Sequence, residues 1–227
     1  MLSERRPSVE ELVVIGASGL GMEVLWVARA MNRERKVFEI LGFVDDNEDR
    51  WGKIFDGSPV LGGFDWLEKN MSPQLRCVCG IGNPVVRKKI AERAQEIGLQ
   101  FATLVHPSVQ MSEFVELGKG VVICANSVLT TQIQLHDHVF INLSCTVGHE
   151  TVMERYSNCA PGCNISGNVL LKEGAYLGTG TSVIQGLTIG EWTTVGAGSV
   201  VVRDLPPHSI AMGAPARVTR KKEDGPD

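Results

Sequence analysis

Beginning at Val105 and stepping by six, the chain reads Val105, Met111, Leu117, Ile123, Leu129, Leu135 and onward through Ile189, Val195 and Val201. All seventeen positions are apolar, although only 43% of the chain is. A period of six is neither the 3.6 of a helix nor the simple alternation of a half-buried strand. It fits a triangular coil of three short strands and three corners, about eighteen residues per turn. Successive coils then stack at the ordinary strand spacing of roughly 4.8 Å. Residues 105–206 are long enough for about five to six such coils.

A second column lies two residues earlier in each repeat and is small or β-branched, as at Val121, Ser127, Val139, Cys145, Thr151, Cys163 and Thr181. Glycine often follows the large apolar residue, as at Gly118, Gly148, Gly178, Gly190 and Gly196, and these are the expected turning points. Cys145 and Cys163 are one coil apart and should stack with Ser127 and Thr181. No carboxylate or histidine shares that column, so it reads as packing and no metal is expected. Cys77 and Cys79, alternate residues of a strand, should share a face. None of the six cysteines has paired zinc spacing, and all are read as small buried hydrophobes.

No apolar run approaches bilayer length, and the opening MLSERRPSVEEL has no signal-peptide core. No membrane association is expected, and the cytoplasm is the default compartment. The net charge is −4, and the basic cluster of Arg217, Arg220, Lys221 and Lys222 is short and terminal, so no nucleic acid partner is expected.

The first half has a different rhythm. ELVVI (11–15) reads as a buried strand followed by the glycine loop GASGLG and a helix over about 22–31. FEILGFV ends in Asp45-Asp46-Asn47, and RCVCGI ends at Gly82-Asn83-Pro84, with Pro84 placed to open a helix running to about Ile97. This alternation predicts a small parallel α/β unit with its ligand at the carboxyl ends of the strands. The loop spacing is G-x-x-G-x-G, not the dinucleotide order, and a tight turn without ligand explains it equally well taken alone. A glycine turn entering a helix also offers amides to a phosphate, and the acidic loop at the same edge suits sugar hydroxyls. Three such strand ends together favour a nucleotide-containing ligand.

GASGLG, GFVDDN, IGNPVVRKKI, HPS, the hexads, GHE and the closing GAPAR together resemble the bacterial nucleotide-sugar acetyltransferases, with sialic-acid O-acetyltransferase-like relatives. These N-acetylate UDP-, dTDP- or GDP-linked 4-amino sugars, and the resemblance runs from about Leu12 to Arg217. It implies a Rossmann-like nucleotide-sugar-binding domain (1–104), a left-handed parallel β-helix (105–206) and a C-terminal tail (207–227). The left hand comes from the resemblance, not from the period. The same resemblance implies His149 as catalytic base, with Glu150 raising its basicity. It implies substrate contacts at Ser18, Gly19, Leu20, Asp45, Asp46 and Gly82, and acetyl-CoA along the coils near Asn158, Gly167, Thr179 and Ala197. A homotrimer with the acetyl-CoA site between subunits is also implied. Two residues depart from the family, which usually has histidine at Leu20 and often at Asn158.

Acetyl transfer needs a neutral amine at the thioester carbonyl, a base for its proton and a donor for the developing oxyanion. Histidine titrates near neutrality and suits the base. His149 lies two residues past Val147, which places it at a coil corner outside the core; contact with Glu150 depends on the local turn. His106 and His208 lie in the junction and tail and read as structural, while His136 and His138 flank Asp137 at another corner. His138 is held in reserve for a second active-site role. Two further readings stay open: O-acetylation or a longer acyl group, and a catalytically silent nucleotide-sugar-binding module. The glycine spacing and the lack of a hydride-transfer domain disfavour an NAD-dependent oxidoreductase.

Overall fold

The computed structural model describes residues 9–222; the chain start read above for a signal sequence and the last five residues lie outside it. Strand β1 (Glu10–Ile15) feeds helix α1 (Gly19–Glu34), which returns to β2 (Phe38–Val44). A short hairpin (Ile54–Phe55 with Ser58–Pro59) and α2 (Phe64–Lys69) lead to β3 (Leu75–Cys79), α3 (Pro84–Glu96) and β4 (Gln100–Phe101). The four strands form one parallel sheet in the order β2-β1-β3-β4. All their carboxyl ends therefore meet at one edge. Asn83 caps α3 by accepting from the Val85 and Val86 amides, with Pro84 at the first helical position. Cys77 and Cys79 do face the same cluster, and Val78 faces the opposite one.

From Leu104 onward the chain winds into about six coils of a parallel β-helix. The first face stacks Leu104–Val105, Val122–Ile123, Phe140–Ile141, Asn158–Cys159, Tyr176–Leu177 and Thr194–Val195 in register eighteen residues apart. The second face runs from Gln110–Met111 to Val200–Val201, and the third from Val115–Leu117 to Thr188–Ile189. From Ile123 to Val201, every apolar hexad position is buried. Met111 is 43% exposed because it closes the open end of the stack.

The second column is buried as well, and its hydroxyls have to be satisfied there. Ser127 donates to the Asn142 carbonyl at 3.0 Å and Thr181 to the Gly178 carbonyl at 2.7 Å. Cys145 and Cys163 lie between them, both buried, as the spacing predicts. All six cysteines are free thiols, and burial pushes Cys79 up to about 12.

The turning points differ from expectation. Left-handed backbone recurs every six residues at the position three past the apolar residue, as at Asn126, Gln132, His138, Ser144, Glu150 and Tyr156, with glycine at 120, 162, 174 and 180. The glycines directly after the apolar residue, such as Gly118 and Gly148, are there for clearance. A Cβ on Gly118 would lie 2.6 Å from the Asp137 amide nitrogen, and one on Gly148 2.5 Å from that of Gly167. The coils stack too closely there for a side chain.

Residues 207–222, expected as a tail, extend the fold. Ser209–Met212 adds a parallel strand to the first face, and Arg217–Lys221 pairs with it antiparallel, covering the end of that sheet. The two halves also share their cores. Leu104, Val122, Cys124 and Phe140, on the outward side of the first face, pack with Val24, Leu25 and Ala28 of α1. Tyr156 enters the cluster of Phe64, Cys77 and Cys79. The α/β unit thus caps the lower coils of one face and leaves the upper coils open.

Candidate active site

His149 sits at the corner between the second and third faces. Its neighbour Glu150 is left-handed (φ 59°), and its amide bonds to the Thr131 carbonyl one coil below at 3.1 Å. This turn brings the Glu150 carboxylate to 2.9 Å from His149 Nδ1, the contact that an extended chain would not allow. The imidazole side chain stays 61% exposed. Its ring lies flat on Gly167 of the next coil: a Cβ there would come within 2.5 Å of Cε1 and Nε2. Gly167 therefore acts as the floor under His149. With Nδ1 held by a carboxylate acceptor, the proton belongs on Nδ1 and the lone pair on Nε2.

The second group lies at the sheet edge. Ser18, Asp45, Asp46 and Gly82 line a cleft of about 360 Å³, together with Gly16, Phe64 and Ile81. Gly16 takes the positive φ (102°) of the turn, a Cβ on Gly21 would run into the Gly16 carbonyl, and one on Gly80 would lie 2.5 Å from the Gly21 Cα, so the glycines let α1 approach the end of β3. Gly19 has open space around it, and Ser18 makes no side-chain cap, so the start of α1 is presented to the cleft. Leu20 lies beside Gly82, 3.3 Å from where a Cβ there would stand.

Asp45 works differently from a hydroxyl contact. It accepts from the Ala17 amide (2.8 Å), the Asn47 amide (3.0 Å) and Arg50 Nη1 (2.8 Å). Burial pushes its carboxyl up, but these amide bonds and the guanidinium outweigh that and hold it below the usual carboxylate range. Asp45 thus clamps the glycine loop to the β2 loop. Asp46 accepts from the Phe64 amide through Oδ1 and leaves Oδ2 at the rim, 3.6 Å from Arg93.

The residues assigned to acetyl-CoA do not gather in one chain. Gly167 is with His149. Thr179 and Ala197 stack at the corner between the first and second faces, and both are exposed. Asn158 is on the first face, 4% exposed, where its Oδ1 accepts from Arg87. His138, the reserve candidate, is buried (1% exposed), stacked on Tyr156 at 5.2 Å and edge-on to Phe101 at 4.5 Å. Burial drives its pKa down to about 4 against the opposing pull of Asp137, with Arg87 and Arg155 adding to the depression. A neutral buried ring of this kind has no access to substrate. His106 is held by Ser108 at 2.8 Å and packs at a tilt against Trp26 at the junction.

Residues 11–94 match the family described as the PglD N-terminal domain. The first curated relatives, putative acetyltransferases of Staphylococcus aureus, align over 56 residues at 45% identity, and the chain spans only 28% of their length. The GDP-perosamine N-acetyltransferase of Escherichia coli O157:H7 aligns over 92% of this chain and 96% of its own at 26% identity. The acetyltransferase domain of PglB from Neisseria gonorrhoeae superposes with a TM-score of 0.85 at 32% identity, covering 92% of this chain and 99% of that one. PerB from Caulobacter crescentus, solved in complex with CoA and GDP-perosamine, superposes with a TM-score of 0.86 at 31% identity, covering 94% and 99%. The chain belongs to the left-handed β-helix nucleotide-sugar acetyltransferases.

A larger cleft of about 700 Å³ opens between α3 and the upper coils of the first face, lined by Asn83, Lys88, Tyr176, Trp192 and Thr194. It shares Gly82 with the sheet-edge cleft, so the two adjoin at that residue. Lys88 crosses it to Glu173 at 2.7 Å and lies 5.2 Å from the Trp192 ring. Tyr176 and Trp192 hold outward-facing and corner positions that the hexad pattern leaves unconstrained. Only the docking of α3 beside them makes a cleft.

Proposed function

We propose that this chain transfers the acetyl group of acetyl-CoA directly to the 4-amino group of a nucleotide-linked 6-deoxy amino sugar. The observation that carries the reading is the His149–Glu150 contact at 2.9 Å on an exposed corner. The amine nitrogen attacks the thioester carbonyl, and His149 Nε2 takes the proton that nitrogen loses. As the tetrahedral centre collapses, the new C–N bond remains, the C–S bond breaks, and the sulfur leaves and is protonated as CoA thiol. Glu150 keeps the ring oriented and stabilises the imidazolium formed on the way. The nucleotide rests in the sheet-edge cleft against the start of α1, and the sugar extends past Gly82.

Within one chain, His149 and the Thr179–Ala197 edge lie on different corners, so one chain does not bring them together. A closed C3 trimer resolves this by setting one corner of each copy against another corner of its neighbour. His149 of the partner subunit would then complete each site. Among the described residues no helix is long and apolar enough to cross a membrane.

The test is thiol release from acetyl-CoA against UDP-, dTDP- and GDP-linked 4-amino-6-deoxy sugars. The GDP sugar comes first, because the Caulobacter crescentus PerB structure holds GDP-perosamine. One sugar of the panel should be turned over, and His149→Ala should lower kcat by ~10²–10⁴-fold with the fold intact. Full activity in that variant would overturn the assignment of the base. A stable, active monomer in sedimentation would overturn the trimer.

A further inference from the structure

Arg87, on the first turns of α3, is 2% exposed and reaches out of the α/β unit into the β-helix. Its Nη1 donates to the Ile81 carbonyl at 2.9 Å, the Gly82 carbonyl at 3.4 Å and Asn158 Oδ1 at 3.2 Å. Nη2 donates to the Tyr156 carbonyl at 2.8 Å and the Ser157 carbonyl at 3.5 Å, and Nε to the His138 carbonyl at 3.2 Å. Among the described residues, none of these acceptors is a carboxylate. Burial lowers its pKa to about 10, so the side chain stays cationic at neutral pH.

A buried charge held only by neutral oxygens is an expensive way to join two domains; apolar packing of the same volume is often the more stable choice. The same patch holds further cost. The buried side-chain atoms with no hydrogen-bond partner among the described residues are both ring nitrogens of His138 and the hydroxyl of Ser157. The backbone carbonyls of both residues are among the acceptors of Arg87. Polar cost retained at one spot marks a place where position matters more than stability. The guanidinium joins two things here. One is the Ile81–Gly82 loop, where the two clefts meet; the other is the stretch of coil that ends at Asn158 on the first face.

We infer that Arg87 is a positioning residue for the acceptor: its planar fork fixes the Ile81–Gly82 loop against the β-helix and so sets the register between the nucleotide cleft and the coil where the acetyl group is delivered. This rests on the proposed acceptor site. Lysine keeps the charge but cannot span acceptors on both sides with a fork, so it separates geometry from electrostatics.

The experiment compares the full-length wild type with Arg87→Lys in steady-state kinetics and in amide hydrogen exchange without ligands. For Arg87→Lys, KM for the nucleotide amino sugar should rise by roughly tenfold or more while KM for acetyl-CoA stays at the wild-type value. Exchange at Gly80 and Arg87, the amides flanking the loop that donate to the Ile15 and Asn83 carbonyls, should quicken by about tenfold or more, with coil amides such as Ile165 and Val183 unchanged. Asn158→Ala, which removes one acceptor only, should quicken the same loop to a smaller degree and covers the case in which Arg87→Lys does not fold. Wild-type loop exchange in the variants, or equal changes in the two KM values, would overturn the inference. A wild type that acetylates none of the sugars would overturn the proposed function instead, and the exchange result would still decide the role of Arg87.

Discussion

The corner that carries His149 and the cleft that carries Asp45 are built in opposite ways. At the corner each partner is one residue or one coil away: Glu150 is adjacent, Thr131 and Gly167 lie on the coils below and above. In the cleft the partners come from distant segments: Ala17 with Asp45, Asp46 with Phe64, Ser18 with Gly80. A stacked coil repeats the same local geometry, so a residue's address follows from its count along the chain. An α/β edge assembles loops from several crossovers, and a side chain's task depends on what arrives beside it. The difference predicts that corner variants change the chemical step while cleft variants change acceptor binding.

The largest effect should come from breaking the stack. Leu177→Ala, in the middle of the first face, should cost about 2–5 kcal/mol in denaturant unfolding, because the coils above and below hold their spacing and leave a cavity. A cost under ~1 kcal/mol would show that the β-helix relaxes as readily as a loop. Next comes His138, the point where the two regions meet. Its folded-state value of about 4 lies below that of a free histidine, so the unfolded chain takes up the proton first. Its contribution is whole above about pH 6.5 and is lost as the pH falls toward 4, up to on the order of 3 kcal/mol. His138→Phe should flatten that part of the stability profile, and an unchanged profile would remove His138 from the account.

Two smaller effects test the division of labour directly. Gly167→Ala puts a methyl group under the His149 ring and should lower kcat by about tenfold, leaving KM for the acceptor sugar near wild type. Asp45→Asn keeps the shape of the clamp but weakens its charged bonds to Ala17 and Arg50, and should raise acceptor KM by several-fold with little change in kcat. The reverse pattern in either variant would break the comparison, and stopped-flow or steady-state thiol release reads both.

Much of the molecule was legible from residue order. The hexads identified the buried residue of every coil from Ile123 to Val201, stacked the cysteines correctly and put His149 outside the core. The β1–α1–β2 rhythm and the Asn83-Pro84 helix start were also visible, because capping and periodicity are local signals. The misreadings share a cause. Gly118 and Gly148 look like turn residues until the neighbouring coil shows the clearance they provide. Residues 209–221 look like a tail until they pair with the first face. Leu104, Val122 and Phe140 carried a faint signal, apolar residues in an outward column that is polar elsewhere, which marks the part of the face that α1 covers.

What the sequence determined by itself is therefore the β-helix: its period, its core and the corner address of His149, since each coil specifies the next through identical stacking. What only the tertiary structure decided is how the outward residues are used. Asp45 became a clamp, Asn158 an acceptor for Arg87, and His138 a buried neutral ring, because the α/β unit docks on the lower coils of one face and leaves the upper ones open. That docking depends on contacts between segments 50 to 70 residues apart, such as those of Arg87 with His138 and Tyr156, and no local period encodes them.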